Sequence, residues 1–170
     1  MGLTTTINSF AIKPAARPGP VMAIGKLEKE QGFDLLIKSW ICIKQELHIV
    51  GSGKENLSLQ RLIELLNLSE RVKILPENSS PSITAMLKSS SGLVVSSLRA
   101  GSPQVILEAI SHEIPVLGTN IGIMVGLMPQ EFLAEAGNQE SLKVLLEEMV
   151  PLLPQLDVRA LRNSIQERFL

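Results

Sequence analysis

Short apolar runs recur along the chain with amphipathic stretches between them, and this alternation limits the possible folds more than any single motif. The runs are Val21–Ile24, Leu47–Val50, Val72–Leu75, Leu93–Val95 and Pro115–Leu117, with Phe132–Ala134 as a shorter one. Most lack the polar alternation of a half-exposed strand, as expected of strands covered on both faces of a parallel sheet. Between them, apolar residues repeat at helical spacing: Phe33, Leu36, Ile37, Trp40 and Ile41; Leu59, Leu62, Ile63 and Leu66; Ile83, Met86 and Leu87. The pattern continues with Val105, Ile106, Ala109 and Ile110, then Leu142, Leu145, Leu146 and Met149, and finally Val158, Leu161, Ile165 and Phe169. Strands alternating with helices imply right-handed βαβ units. The expected fold is therefore α/β, a Rossmann-like, doubly wound parallel sheet of about six strands with flanking helices.

Element boundaries are also marked. Asn67 suits a helix terminus, and Ser80-Pro81 and Ser102-Pro103 each suit a helix start, with serine as N-cap and proline at the first helical position. Ser89-Ser90-Ser91 reads as a helix-to-strand turn. His112 falls at the end of a helix, where a protonated imidazole suits the dipole. Gly118-Thr119-Asn120 is expected to open a loop after the fifth run. Open α/β sheets bind ligands at the carboxyl ends of their strands, so Gly92–Gly126 is the expected wall of any site.

Composition removes several alternatives. The 170 residues are 45% apolar, which suits a chain with a packed core rather than a disordered one. No apolar run reaches the roughly 20 residues that span a bilayer. The net charge of −1, 3% aromatic residues and absence of tyrosine argue against a basic or base-stacking nucleic-acid surface. The single cysteine, Cys42, allows no internal disulfide. Cys42 is read as a small core residue on the apolar face of a helix, and a reducing, cytoplasmic setting fits. Residues 1–20, basic and interrupted by Pro14, Pro18 and Pro20, read as a linker. Residues 21–150 are the expected domain and 151–170 a C-terminal helical extension.

Familiar motifs fail on inspection. Gly51-Ser52-Gly53-Lys54 follows a strand, but a Walker A loop would need glycine at His48 and serine or threonine at Glu55. A dinucleotide fingerprint would need glycine at Asn56. The glycines fit either close ligand approach or a tight strand-to-helix turn. His112-Glu113 lacks a second histidine at Val116, and no metal site is expected. No Gly-x-Ser-x-Gly nucleophile elbow is present. Glu108 is either an ordinary helix-surface glutamate, which its spacing alone favours, or a carboxylate at the crevice that accepts two hydroxyl hydrogen bonds.

The pieces follow one another in a familiar order: Ile24-Gly25-Lys26-Leu27 with Gly32-Phe33-Asp34-Leu35-Leu36, His48-Ile49-Val50-Gly51-Ser52-Gly53, and Leu68 to Leu75. Gly101 to Ala109 and Ile114 to Gly122 complete the series. This order resembles the C-terminal, donor-binding half of GT-B-fold retaining glycosyltransferases of family 4, or group 1. The resemblance implies a domain that binds a nucleotide-diphosphate sugar, UDP- or GDP-linked, with no other cofactor. It implies transfer of a hexose-type sugar to an acceptor held by an absent N-terminal domain or partner subunit.

By the same resemblance Glu108 would hold the donor ribose, and it is the best candidate for any catalytic contribution. Gly51 would lie near the nucleotide, and Leu75 and Pro76 near the base. Gly101, Ser102 and Pro103 would face the sugar or phosphates, and Thr119 would sit in the adjacent phosphate-side loop. Gly25 and Lys26 belong to the first loop, where Lys26 replaces the usual diphosphate arginine. Gln31 stands where a lysine is usual. Ala100 occupies the place of the first glutamate of the family's pair, and Arg99 beside it is expected to restore positive charge. Peripheral membrane association would suit lipid acceptors. The competing reading is a degenerate, non-catalytic Rossmann-like binding or assembly module.

Overall fold

The computed structural model describes residues 17–77 and 82–169. The expected helix start at Ser80-Pro81 and most of the expected linker lie outside them. Six parallel strands form one sheet in the order β3-β2-β1-β4-β5-β6. They are β1 (Val21–Ile24), β2 (Leu47–Val50), β3 (Val72–Leu75), β4 (Gly92–Val95), β5 (Val116–Thr119) and β6 (Leu133–Ala134). The helices are α1 (Phe33–Ser39), α2 (Asn56–Leu65), α3 (Ile83–Lys88), α4 (Gln104–Ser111), α5 (Met124–Leu127), α6 (Gln139–Met149) and α7 (Arg159–Phe169). α1 packs against α2 and α6, and α4 packs against α7. This is the doubly wound α/β architecture expected from the alternation of runs.

The strand order reverses between β1 and β4, and that junction positions the site. β1 pairs with β2 along its whole length, from Val21↔Leu47 to Ile24↔Val50. Its ladder with β4 joins only Val21 to Gly92 and Met22 to Leu93. The two central strands therefore part toward their carboxyl ends.

Local details depart from the sequence in places. α1 stops at Ser39, because tight turn bonds take over, from Trp40 N to Ile37 O (3.0 Å) and from Ile43 N to Trp40 O (3.0 Å). Trp40 is fully buried as expected, and its Nε1 donates to Gln45 O at 2.8 Å. Ile41 and Cys42 lie past that turn and are exposed, so Cys42 is not a core residue. β5 continues through Gly118 and Thr119, which were expected in a loop. Glycine suits that strand position, because a Cβ on Gly118 would lie 2.4 Å from Val95 O. α4 begins one residue later than expected: Pro103 is the N-cap, and Ser102 Oγ accepts from Gln104 N at 3.5 Å. Phe132 belongs to a 3-10 turn that leads into β6. Asn67 terminates α2 at φ 55°, as its side chain allows, and His112 closes α4.

Glu113 also adopts positive φ, 59°, which nothing in the sequence announces. Its carbonyl accepts from Arg17 Nη1 at 2.8 Å, and its carboxylate pairs with Arg162 Nη1 of α7 at 2.8 Å. Farther along α7, Arg168 Nη1 donates to Gly126 O at 3.2 Å.

Candidate functional site

A cleft of about 750 Å³ opens where β1 and β4 part. Its floor is apolar, from Ile24, Leu93, Val95, Ile106 and Met124. One wall is Gly25, Lys26 and Gln31; the other runs from Ser97 through Arg99, Ala100, Gly101 and Ser102 to Gln104 and Glu108 on α4. These two walls are fastened together. Ser96 Oγ donates to Gln31 O at 2.7 Å, Ser97 Oγ to Gln31 Oε1 at 3.3 Å, and Leu98 N to Glu30 O at 2.7 Å. Gln31, at the position where the resemblance would put a lysine, thus serves as the fastening point.

The expected site residues divide into two groups. Gly25, Lys26, Arg99, Ala100, Gly101, Ser102 and Glu108 line the cleft together. Gly51, Leu75, Pro76, Pro103 and Thr119 are not among its lining residues. Thr119 is 1% exposed, and its hydroxyl donates to Ser97 O at 2.7 Å. Gly51 is buried behind the first loop, where a Cβ would fall 1.8 Å from Gly25 O. The rest of its turn is laid on the same loop, with Leu27 N donating to Ser52 O (2.9 Å) and Glu55 N to Leu27 O (2.8 Å). The glycines that mimic a phosphate loop therefore serve backbone packing.

Gln104 and the Ile121–Met124 segment line the cleft within the expected Gly92–Gly126 wall, though none was singled out as a site residue, and Glu77 was not anticipated at all. Glu77 directly follows the Pro76 stop, so its position at a strand's carboxyl end was an available signal. Gly122 turns its segment at φ 55°, and a Cβ there would stand 3.0 Å from Ala100 Cβ.

The electrostatics are mixed but ordered. Lys26 and Arg99 are exposed, and among the described residues neither pairs with a carboxylate. Glu108 is half-buried one turn into α4, between α4's buried anchors Ile106 and Ala109–Ile110. Its Oε1 accepts a hydrogen bond from Thr84 Oγ1 of α3. Two cations free to meet an anion, a carboxylate able to accept hydroxyl donors and an open glycine turn suit a polar, anionic ligand with hydroxyl groups. No histidine or cysteine lines the cleft among the described residues. Nor do those residues include a cluster that could hold a metal ion, or a helix long and apolar enough to cross a membrane.

Comparisons with known proteins bear on the family and the fold. The family described as glycosyl transferases group 1 matches residues 7–152. An uncharacterized glycosyltransferase of Haemophilus influenzae is 29% identical over 131 residues, covering 72% of this chain and 36% of that protein. The chain spans between 25% and 37% of the length of the curated relatives it matches. Among solved structures, a C-terminal domain of a group 1 family protein (LpcC) from Francisella tularensis superposes with TM-score 0.74 at 14% identity. That match covers 95% of this chain and 96% of the domain. A point mutant of S. aureus TarM, solved with fondaparinux, alpha-GlcNAc-glycerol and UDP, gives TM-score 0.74 at 21% identity. It covers 94% of this chain and 34% of TarM. These structural likenesses establish the fold, one Rossmann-like half of a GT-B architecture.

Proposed function

The chain belongs to the group 1 glycosyltransferases, and from that premise we propose that its cleft binds a nucleotide-diphosphate sugar for a retaining, family 4 enzyme. The observation that carries this reading is the cleft itself, with Lys26 and Arg99, which pair with no carboxylate among the described residues, and the carboxylate of Glu108 all on its lining. Glu108 accepts the ribose hydroxyls. Lys26, Arg99 and the backbone around Gly101 and Ser102 meet the diphosphate. The base lies toward Leu75, Pro76 and Glu77, at the end of β3. The donor is UDP- or GDP-linked, and UDP in the TarM structure supports the first of these. A second domain supplies the acceptor, which receives the hexose-type sugar. The setting is cytoplasmic, with peripheral membrane attachment where the acceptor is a lipid.

Ala100 favours a second reading, a binding or assembly module that has lost chemistry, because it removes one carboxylate from the cleft wall. Calorimetric titration of the chain with UDP, GDP and their sugars separates the two. The donor-site reading expects binding that Glu108→Ala weakens, and no heat from a folded chain with any nucleotide sinks it. Millimolar affinity is acceptable, since half of a closing cleft contributes only part of the contacts. Lys26→Ala and Arg99→Ala are each expected to weaken diphosphate binding about tenfold, the loss of one charge-assisted contact. An unchanged affinity in Arg99→Ala beside a lost one in Lys26→Ala removes Arg99 from the site.

A further inference from the structure

We infer that Thr84 is a positioning residue, holding the Glu108 carboxylate in the orientation that receives the ribose diol; this rests on the donor-site reading above. The two residues come from different helices, α3 and α4, and Thr84 Oγ1 donates to Glu108 Oε1 across them. Thr84 is not itself on the cleft lining, whereas its neighbour Ile83 and Glu108 both are. Its hydroxyl therefore reaches the carboxylate from outside the ligand's space.

The backbone under Glu108 is already fixed, because Ile106, Ala109 and Ile110 are buried on either side of it. What remains free is the glutamate's own flexible side chain. Threonine is suited to restrain it, since branching at Cβ stiffens χ1 and places the hydroxyl. α3 is itself held at its start, where Ser82 Oγ accepts from Ala85 N at 3.3 Å.

The hydrogen-bond count permits both tasks at once. A carboxylate offers about four acceptor sites. One is taken by Thr84, and the others remain for two ribose hydroxyls. Thr84 has spent its only proton on Glu108 and lies off the cleft lining, so the ligand's hydroxyl donors are left to the carboxylate. α3 also follows the β3 carboxyl end, where the base is placed. The Thr84–Glu108 bond thus links the base side of the cleft to its ribose side.

The test compares UDP and GDP with their 2′-deoxy forms, by calorimetry on the chain extended into the millimolar range, in Thr84→Val, Thr84→Ala and Thr84→Ser. The readout is the ratio of 2′-deoxy to ribo dissociation constants. The natural chain is expected to prefer the ribonucleotide about tenfold, the loss of one hydrogen bond to a charged group. Thr84→Val and Thr84→Ala are expected to reduce that preference to about twofold or less by weakening the ribonucleotide, while Thr84→Ser, which keeps the donor, retains it. Equal weakening of both nucleotides, with the ratio kept, makes Thr84 a packing residue and overturns the inference. If Glu108→Ala erases the ratio and Thr84→Val does not, the donor-site reading stands and this inference alone falls. Failure of the natural chain to bind UDP or GDP overturns both.

Discussion

Gly51 and Gly101 look alike in the sequence, each opening a turn in the region of a strand's carboxyl end, yet they exist for opposite reasons. A Cβ on Gly51 would lie 1.8 Å from Gly25 O, a backbone atom that cannot swing away. A Cβ on Gly101 would meet nothing within 4 Å. The first glycine lets two loops of the scaffold touch, and the second leaves the cleft wall open. A glycine after a strand therefore says that something comes close, but not whether that is the protein's own backbone or a ligand.

Substitutions can test this contrast. Gly51→Ala is expected to cost at least about 3 kcal/mol, the upper range for overpacking, because the β1 and β2 loops must separate. For a chain of this size that is a fall of roughly 6–12 °C in melting temperature. A near-normal melting curve would break the contrast. Glu108→Ala, on the wall that Gly101 opens, is expected to lose about 2 kcal/mol of UDP or GDP binding with little change in melting. Gly25→Ala is intermediate, since the added Cβ would sit 2.6 Å from Gln31 Oε1, the far end of a flexible side chain. About 1 kcal/mol of stability and the Ser97–Gln31 bond are expected to go, visible in melting and in side-chain amide NMR of Gln31. Gly101→Ala should leave stability within about 0.5 kcal/mol. Any affinity it loses at unchanged stability then reports ligand approach to that turn.

Strand positions were legible because buried parallel strands leave short apolar runs that little else in the chain imitates. Ends were less so. Trp40 and Ile41 continue a helical period on paper, but the turn bonds after Ser39 bury the indole and expose Ile41 and Cys42. Gly118 resembles a loop opener, while the nearness of Val95 O explains it inside a strand. Much of the cleft could be read from the chain, since Gly25, Lys26 and Arg99–Ser102 follow the two strands at the reversal of order. Glu77 had only its place after the Pro76 stop as a signal, and Ile121–Met124 only their place inside the expected Gly92–Gly126 wall; which of these residues reach the cleft depends on how far β1 and β4 part, which no local spacing encodes. Glu113 takes positive φ as the residue after α4's C-cap, where Glu113 N donates to Ile110 O (2.9 Å) and Ile114 N to Ala109 O (2.9 Å), a position more often held by glycine or asparagine.

α7 can be viewed as a strut. One fastening, Arg162 to Glu113, lies just before β5 begins; the other, Arg168 to Gly126, reaches the segment after β5. Between them the helix lies on α4, which carries Glu108. Gly126 lies two residues past Met124 of the cleft floor. α7 thus braces the chain on both sides of β5 while none of its own described residues lines the cleft.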